Sequence, residues 1–468
     1  MRVALASVIV LSCLLASAPP SSAQALPPAA PATTPGTTPA PSSPTPLPAG
    51  VPAAPAVSRV LGRVLSLDEA IGIALETQPL IQARLYDYMA AAHRVDQAFA
   101  PLLPQLTGGV DLARTQRATR TGFPDERRGR MTNVEILADE QTVARVSLSQ
   151  VLFDFGKTFA STDAARRLAE QAQEDVELQR QLITLTVKES FININFARRL
   201  ILVQEQALER ADLNLRSARG FFEVGTRPKS DVARAEVDVA NARVDLIRAR
   251  NAERLTRVSL NTAMGIPVDT PTEVQDNLVY QALTIDRTQL LGQALAQRPE
   301  YKQARLRVDE ADARMRRAFR DFFPDVTGSA FYGGRRQDLN EIWEVAVSLS
   351  WTIFDGGNRI ARFRETKVSV DAQKARVKAT ELDISREVEQ AQLNVGEAEE
   401  RIGATQTAVV SAQENFRLAQ GRFDAGVGTI LELTDAQLFL TQAQNTEAQA
   451  LADYRIAVAR LERAIGRR

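Results

Sequence analysis

The chain contains few of the side chains that usually carry catalysis or metal binding. Its 468 residues include one cysteine and one histidine. His93 lies in a predicted helix with no constellation of cysteines or carboxylates to make it a ligand or a base, so a structural role is favoured. A G-x-x-x-x-G-K-S/T phosphate loop is also absent, so the chain does not energise any process itself. The sequence therefore predicts neither an enzyme nor a bound metal or cofactor.

An excess of charge of one sign is lacking as well. The chain has 57 Lys and Arg against 57 Asp and Glu, which gives no global electrostatic reason to bind nucleic acid. Long apolar runs are missing after Leu26, where no stretch approaches the roughly 20 apolar residues of a membrane-spanning helix. A membrane role would therefore require strands.

The N-terminus has the features of a secretory signal peptide, predicted over residues 1–25. Met1-Arg2 is followed by an apolar run, Val3 to Leu15, and by the small residues Ala23-Gln24-Ala25. Cys13 lies inside this segment, and its alternative role as a lipid acceptor is disfavoured because the apolar run continues beyond it. Cleavage after Ala25 leaves a mature chain without cysteine, which excludes disulfides and thiol chemistry.

A proline-rich segment follows, over residues 26–58. It holds 11 prolines among Ala, Thr and Ser, and no charged residue lies between Arg2 and Arg59. Such a composition cannot bury a core and favours extended polyproline conformations, so we predict a disordered spacer. After Arg59 the composition changes to Ala, Leu, Gln, Arg and Glu, which is typical of long helices.

The rest of the chain is an internal duplication. Its two copies are predicted at residues 59–276 and 285–468, each with the order helix, strand, strand, long helix, helix. The offset is 220 near the start of each copy and 201 from the second strand onward. The carriers are Pro104-x-x-Thr107-Gly108 with Pro324-x-x-Thr327-Gly328, VSLSQVLFDFG at 146–156 with VSLSWTIFDGG at 347–357, and Gly220-x-Phe222-x-x-Gly225 with Gly421-x-Phe423-x-x-Gly426.

Very long helices are predicted in each copy. Ser66-x-x-Glu69 is a capping-box signature that opens a helix to about residue 100, with a possible interruption at Pro79. Residues 157–221 and 358–422 contain no proline, so each predicts one helix of about 65 residues, roughly 98 Å long. The returning helices carry coiled-coil seams. These seams are Val232, Ala235, Val239, Ala242, Leu246 and Ala249 in the first copy, and Leu433, Ala436, Leu440, Ala443 and Ala450 in the second.

Strict alternation predicts strands between the helices. From Val345 to Ile353, apolar residues occupy every second position. Val146, Leu148 and Leu152 repeat the pattern in the first copy, and the strand after Pro324 repeats it more weakly at Val326, Ala330 and Tyr332. Each strand has about the 9 to 11 residues that cross a bilayer when tilted. Four strands per chain cannot close a barrel, and lipid does not tolerate open edges, so strands in a membrane would require an oligomer. The alternative is a small soluble sheet packed on helices.

From Leu65 to the C-terminus, the chain resembles the TolC family of outer-membrane efflux channels. The resemblance is carried by the duplication, by the paired VSLSxxxFDxG junctions and by the glycine turns at residues 224–227 and 425–429. It implies a fold that is mainly α with membrane β. In that fold, four strands from each chain of a homotrimer form one 12-stranded barrel in the outer membrane. Long antiparallel coiled-coil helices form a periplasmic tunnel.

The resemblance also implies roles for the glycine turns. Gly225 and Gly426 stand where one long helix stops and another begins, which is C-cap chemistry at the least. In this family the turns form the periplasmic tip, which meets an adaptor protein. By motif position, the implied adaptor contacts are Val224, Gly225, Thr226, Arg227, Gly426, Val427, Gly428 and Thr429.

Three carboxylates follow the turns. Asp231, Glu432 and Asp435 match family positions that narrow the tunnel mouth, where three copies in a trimer would attract cations and repel one another. The alternative is a favourable charge in the first turn of a helix. The second copy lacks the arginine of the Gly-Thr-Arg string, and Phe423 stands where a tyrosine is familiar. We therefore expect no tyrosine and arginine latch there, and Pro228 makes the two tips unequal.

The resulting hypothesis is a passive export duct of a tripartite efflux or type I secretion system. It lies in the outer membrane of a Gram-negative bacterium, contacts lipid through its strands, and opens when a periplasmic adaptor and an inner-membrane pump dock at the tips. Trp351 is a candidate anchor at the lipid–water interface, with an ordinary packed strand residue as the alternative. A periplasmic coiled-coil scaffold without a channel is the alternative function.

Overall fold

The computed structural model describes residues 60, 62–120, 134–276, 278–282, 287–336 and 340–467. The predicted signal peptide and spacer lie outside these ranges. The first half contains β1 (Val64–Leu65), α1 (Leu67–Thr77), α2 (Pro79–Phe99), β2 (Gln105–Arg120), β3 (Val134–Phe153), α3 (Lys157–Glu223) and α4 (Lys229–Met264). The second half contains β4 (Glu273–Val274), α5 (Arg287–Gln297), α6 (Pro299–Arg320), β5 (Asp325–Arg336), β6 (Asn340–Ser350), α7 (Asn358–Asp424) and α8 (Ile430–Ala464).

The capping box predicted at the start of the first helix is present. The Glu69 amide donates to the Ser66 hydroxyl, and the Ser66 amide donates to the Glu69 carboxylate over 2.9 Å. Gln78 has an extended backbone, so α1 ends before it and α2 begins at Pro79. The predicted interruption is confirmed because proline lacks the amide hydrogen that a continuous helix requires.

Two helices dominate each half. α3 and α7 each have 67 residues, about 100 Å at 1.5 Å per residue, so the prediction of helices of this length is confirmed. Each packs antiparallel against the helix that follows it. The predicted seams are confirmed, since most of their residues are buried: Ala235, Val239, Leu246 and Ala249 on α4, and Leu433, Ala436, Leu440 and Ala450 on α8. Val232, Ala242 and Ala443 are half-buried.

An aspartate starts each long helix. The Asp154 carboxylate accepts hydrogen bonds from the amides of Gly156 (2.9 Å) and Thr158 (2.6 Å). Asp355 does the same for the amides of Gly357 (3.2 Å) and Arg359 (3.0 Å). These amides have no partner within the helix, so the aspartate of the FDxG motif satisfies them where strand becomes helix.

A glycine at the C-terminal end of each returning helix packs closely against an earlier part of the chain. Gly265 follows α4 with φ +71°, and a Cβ there would lie 3.0 Å from the Cα of Gln78. Gly466 follows α8 with φ +82°, and a Cβ there would lie 2.9 Å from the Cβ of Gln297. Both glycines therefore combine a left-handed backbone with close approach to the break between two preceding helices.

The four long strands form one antiparallel sheet in the order β2-β3-β5-β6. Leu106 pairs with Leu148, Leu148 with Ala330, and Ala330 with Val345. Residues directly opposite one another share a face, so these four residues lie on one side of the sheet, and Val110 and Val347 lie on the same side. That face is open in the single chain: Leu106 is 72% exposed, Val110 67%, Val345 64% and Val347 70%.

Strand lengths differ from the prediction in two places. β2 has 16 residues and β3 has 20, instead of 9 to 11, because their backbone pairing continues past the apolar stretch to Arg120 and Val134. β6 was predicted to reach Ile353 but ends at Ser350. There the Trp351 indole donates to the carbonyl of Phe322 over 3.0 Å, and the chain turns toward α7.

None of the helices in the described ranges combines the length and the apolar composition of a membrane-spanning helix.

Gly265→Ala is expected to destabilise the protein. A left-handed backbone costs an L-residue about 1–2 kcal/mol, and the new methyl would contact the Gln78 backbone. Gly396→Ala is the matched control, because Gly396 lies inside α7 with nothing within 4 Å of a Cβ. Alanine should stabilise that helix by roughly 0.5–1 kcal/mol. Thermal unfolding of both variants measures the difference. Equal unfolding midpoints would contradict the expectation that Gly265 is required where α4 approaches Gln78.

Asp154→Asn is expected to lower the free energy of unfolding at neutral pH. It should also make that free energy less sensitive to acid. Burial alone would raise the pKa of Asp154, but hydrogen bonds from Thr158 and Gly156 outweigh it and hold the pKa below its ordinary value. A lowered pKa gives stability that is present above the unfolded value, about 3.9, and is lost as the pH falls through the folded value.

Urea unfolding of Asp154→Asn and of the wild type between neutral and acidic pH tests this linkage. The stability difference between the two proteins should shrink as the pH drops. Asp371→Asn is the control, since Asp371 is an exposed residue on α7 with a long 3.6 Å contact to Lys374. A pH-independent difference for Asp154→Asn would contradict the proposed linkage.

Candidate functional site at the paired helical turns

The first turn joins α3 to α4 through a left-handed glycine. Gly225 has φ +74°, and its amide donates to the carbonyl of Phe222 over 2.9 Å. The amide and the hydroxyl of Thr226 both donate to the carbonyl of Phe221, over 3.0 and 2.8 Å. These bonds satisfy the last carbonyls of α3. The side chain of Thr226 is therefore occupied within the turn.

The second turn, between α7 and α8, has similar geometry with one additional constraint. Gly426 has φ +77°, and the amides of Val427 and Gly428 donate to the carbonyl of Arg422 over 3.0 and 2.8 Å. A Cβ at Gly428 would lie 2.9 Å from the amide nitrogen of Phe423, so a larger residue does not fit without a shift. Thr429 caps α8 by accepting the Glu432 amide over 3.2 Å.

Arg227 joins the two turns. Its guanidinium lies 4.5 Å from the ring centre of Phe423, and its Nη2 donates to the carbonyl of Gly428 over 2.6 Å. Its Nη1 lies 3.7 Å from Oδ2 of Asp231. The Arg227 side chain is 14% exposed, so this cation contacts an aromatic face, a carbonyl and a carboxylate in a largely desolvated site.

An apolar cluster supports this contact. Phe423 is 1% exposed and packs with Ile430, Leu433 and Ala436. Phe221 from the first turn meets Phe423 edge to face, with ring centres 5.7 Å apart. The two turns therefore share one small core.

The sequence did not reveal that Arg227 reaches the second turn. At the second turn, Phe423 supplies a buried ring without a hydroxyl, and Arg422 lies 3.6 Å from Glu432. The available signal was the offset of 201, which places Arg227 and Gly428 at equivalent positions. The first copy has the large residue at this position and the second copy the small one, and the arginine side chain donates to the glycine carbonyl.

The three predicted gate carboxylates lie in different environments. Asp231 is 15% exposed and faces Arg227 within the chain. Glu432 is 49% exposed and lies 3.6 Å from Nε of Arg422, itself 58% exposed. Asp435 is exposed and makes no ion pair with any residue in the described ranges. Glu432 and Asp435 are therefore open to solvent, whereas Asp231 is paired with Arg227.

The predicted adaptor contacts also divide into two groups. Val224 and Val427 are 72% and 70% exposed, one beside each turn glycine. The hydroxyls of Thr226 and Thr429 are engaged in the turns, and Arg227 is engaged between them. The two valines therefore form the open apolar part of this surface.

Polar contacts continue from the turns along the two hairpins. The amide of Asn214 on α3 donates to the Gln437 side chain over 2.7 Å, and Gln437 donates to the carbonyl of Ala207 over 3.0 Å. Thr434 on α8 donates to Asp238 on α4 over 2.9 Å. The described residues contain no group of histidine, cysteine and carboxylate side chains arranged to hold a metal ion.

Comparison with known proteins agrees with this architecture. A family model described as outer membrane efflux protein matches residues 70–266 and 290–467. Outer membrane protein TolC of Vibrio cholerae is 23% identical over 418 residues, covering 86% of this chain and 90% of that protein. The alkaline protease secretion protein AprF of Pseudomonas aeruginosa is 24% identical over 416 residues, covering 85% and 83%. The solved Campylobacter jejuni CmeC outer membrane channel matches with a TM-score of 0.72 at 17% identity, covering 86% of this chain and 85% of that one.

The fold and the paired turns define a long-helix outer-membrane channel protein. Since the family model matches most of its length, the chain belongs to the outer membrane efflux protein family. The predicted fold class, outer-membrane location and channel function are confirmed. The relatives are components of efflux or secretion systems.

Arg227→Gln is expected to loosen the second turn. The change removes the cation from the Phe423 ring, weakens the bond to Gly428 and leaves Asp231 without its partner. A lost charge-assisted hydrogen bond is worth about 1.5–3 kcal/mol, which corresponds to roughly tenfold or more in an opening equilibrium. Hydrogen exchange at the amides of Val427 and Gly428 should accelerate accordingly.

Arg234→Gln is the control for this prediction. Arg234 lies on α4 seven residues after Arg227, is exposed and makes no ion pair with the described residues. The Arg234→Gln substitution also removes one positive charge near the turns, but it leaves the contacts of Arg227 intact. Equal exchange in the two variants would show that Arg227 does not hold the turns together.

Proposed function

We propose that the chain is one subunit of a passive export duct that is gated at the paired turns and carries no catalytic activity. The observation that carries the proposal is the pair of 67-residue hairpin helices ending in two joined turns, with Glu432 and Asp435 exposed beside them. The family membership and the open apolar face of the sheet support it. The duct serves a tripartite efflux or type I secretion system.

The subunits assemble as homotrimers in this proposal. Among the described strands, β2 and β6 each pair on one side only, and α2 and α7 are the helices attached to those edges. In the described part of the single chain, α2 and α4 also expose large apolar side chains. These are Leu80, Leu85, Tyr86 and Met89 on α2, and Val237, Val244, Ile247 and Leu255 on α4. A second copy placed edge to edge covers the unpaired strand edges and the exposed apolar side chains. Oligomers built in this way usually have closed symmetry.

The gate uses the two open carboxylates. A three-fold axis brings three copies of Glu432 and Asp435 to one narrow mouth, where like charges attract cations and repel each other. Asp231 serves a different purpose, because it is paired with Arg227 and helps to keep the two turns joined. The gate is thus acidic at its opening, and the contacts of Arg227 hold its two turns together.

A periplasmic adaptor and an inner-membrane pump are the proposed partners. The adaptor contacts Val224 and Val427, whose exposed apolar side chains flank the turn glycines. The sheet lies in outer-membrane lipid, and Trp351 marks the boundary of the lipid-embedded part where the sheet meets the helices. Trp351 is 56% exposed, and its indole N–H is already bonded to the carbonyl of Phe322.

Single-channel conductance in a planar bilayer tests the gate. The wild type is expected to show a small cation-selective conductance, and Glu432→Gln/Asp435→Gln should increase the conductance or reduce its selectivity. Glu389→Gln/Glu400→Gln is the control, because it removes the same number of negative charges from exposed positions on α7 that are far from the paired turns. It should leave the selectivity near that of the wild type.

Two outcomes would contradict the proposal. Unchanged selectivity in the tip variant would remove Glu432 and Asp435 from the gate. Well-folded protein without any conductance, in both forms, would favour the alternative of a periplasmic scaffold.

A further inference from the structure

Aromatic rings line a groove where the helices of the second half meet the sheet. The groove has a volume of about 470 Å³, and its walls come from α6, from the start of α7 and from the turn between β3 and α3. Pockets of this size with apolar walls hold small ligands. The lining includes Phe155, Met315, Phe319, Arg320, Phe323 and Phe363.

The rings contact one another along the groove. Phe155 stacks on Phe323 with ring centres 5.3 Å apart. The ring centre of Phe319 lies 5.9 Å from that of Phe323 and 5.8 Å from that of Phe363. Phe363 therefore faces α6 of its own chain, and the groove lies between elements of one subunit. In the proposed assembly, a neighbouring copy would cover a different side of α7.

The groove is continuous with the apolar face of the sheet. Phe153 pairs with Val326 at the end of β3, and its ring centre lies 4.7 Å from that of Phe155. Leu152 lies over Gly328 on the same face, since a Cβ on that glycine would be 3.3 Å from the Cδ1 of Leu152. An aliphatic chain that lies along the sheet therefore reaches the groove over apolar side chains.

The duplication shows that the fold does not require these rings. Offsets of 220 and 201 place Val95, Leu103 and Thr162 of the first half at the positions of Met315, Phe323 and Phe363. Gly356 in turn stands at the position of Phe155. Phe155 has φ +53°, a conformation that glycine adopts freely and that larger residues rarely adopt. A ring held at a strained backbone position indicates a function for the ring beyond completing the turn.

Arg320 adds a cation to the lining of the groove. Its Nη1 donates to the carbonyl of Gly156 over 2.6 Å, and Arg320 makes no ion pair with any residue in the described ranges. A guanidinium has several N–H donors, so others remain for a further acceptor. Arg316 beside it is different, because it is paired with Asp163 and Asp312.

We propose that the groove binds an acyl chain of a membrane phospholipid, with the phosphate of the headgroup at Arg320. The inference rests on the proposed function in placing the sheet in the outer membrane. Phe323 follows Phe322, whose carbonyl accepts the Trp351 indole over 3.0 Å, so the groove lies at the level of the proposed lipid–water boundary. Apolar walls and one cation match a ligand with an aliphatic body and an anionic end.

Two other occupants fit the groove less well. A second copy of the chain would meet the unpaired edges at β2 and β6, whereas β3, β5 and the attached α6 belong to the middle of the sheet order. A peptide segment would bring backbone N–H and C=O groups, and aromatic walls leave most of these groups without partners. A lipid chain brings no such groups.

Native mass spectrometry of the detergent-solubilised full chain tests the proposal, with phosphatidylethanolamine as the added lipid. Met315→Trp keeps every ring and fills the groove, so it should retain several-fold less lipid than the wild type. Leu438→Trp is the matched control, because it adds the same indole at an exposed position on α8 far from the sheet. This control should retain as much lipid as the wild type.

A second pair of variants opens the groove instead of filling it. Phe363→Thr introduces the residue of the first half and should also reduce lipid retention several-fold. Phe439→Thr is its control, because it removes an exposed ring from α8. Equal retention by the wild type and Met315→Trp, or equal losses in Phe363→Thr and Phe439→Thr, would overturn the proposal.

A lipid without phosphate tests the role of Arg320. The wild type should retain several-fold more phosphatidylethanolamine than diacylglycerol with the same acyl chains. Arg320→Gln should remove this preference, whereas Arg307→Gln should keep it, because Arg307 is an exposed cation of α6 farther from the sheet. A preference that persists in Arg320→Gln would show that the phosphate does not lie at Arg320.

Conductance separates this inference from the proposed function. Met315→Trp is expected to conduct like the wild type in a planar bilayer, because its paired turns are intact. If the wild type itself does not conduct, the duct proposal fails while lipid retention still reports on the groove.

Discussion

Backbone hydrogen bonding at the two edges of the sheet constrains the rest of the molecule. In lipid, each unpaired N–H or C=O costs several kcal/mol, so an open four-stranded sheet is not stable there. Among the described strands, β2 and β6 each have one unpaired side, and the apolar face beside them is exposed. In the proposed assembly, closure by further copies satisfies both edges at once. The helices attached to these strands come together as well, so the tunnel in this proposal follows from the same requirement that closes the sheet.

The duplication made most of the fold predictable, because a repeated pattern reports the same local physics twice. The capping box at Ser66, the break at Pro79 and the alanine-rich seams all depend on neighbours within a few residues, and these were correct. The length of β2 and β3 was not, since backbone pairing leaves no periodic side-chain signal beyond the apolar stretch. Arg227 was missed as a link for a related reason: its partners Phe423 and Gly428 lie 196 and 201 residues away.

The two turns can be compared because they lie at equivalent positions, 201 residues apart in the sequence. Their glycines have nearly the same φ, yet one turn supplies an arginine and the other supplies the space and the carbonyl that receive it. Their different residues therefore join two helix ends into one unit with a shared core of Phe221 and Phe423. A partner that moves one turn must move the other or break this contact.

Differences between the halves are informative wherever the fold would accept either residue. At the FDxG junction, Phe155 adopts φ +53°, a conformation that costs a side chain and that Gly356 adopts freely in the second half. Phe155 stacks on Phe323 with ring centres 5.3 Å apart, so aromatic packing offsets the unfavourable backbone. The first-half corner is held by this stacking together with Arg320 of α6, which donates to the Gly156 carbonyl, whereas in the second half Arg359 bonds Asp355. The same turn is therefore completed by different contacts in the two halves, so the fold fixes the backbone there and leaves the side chains free to differ.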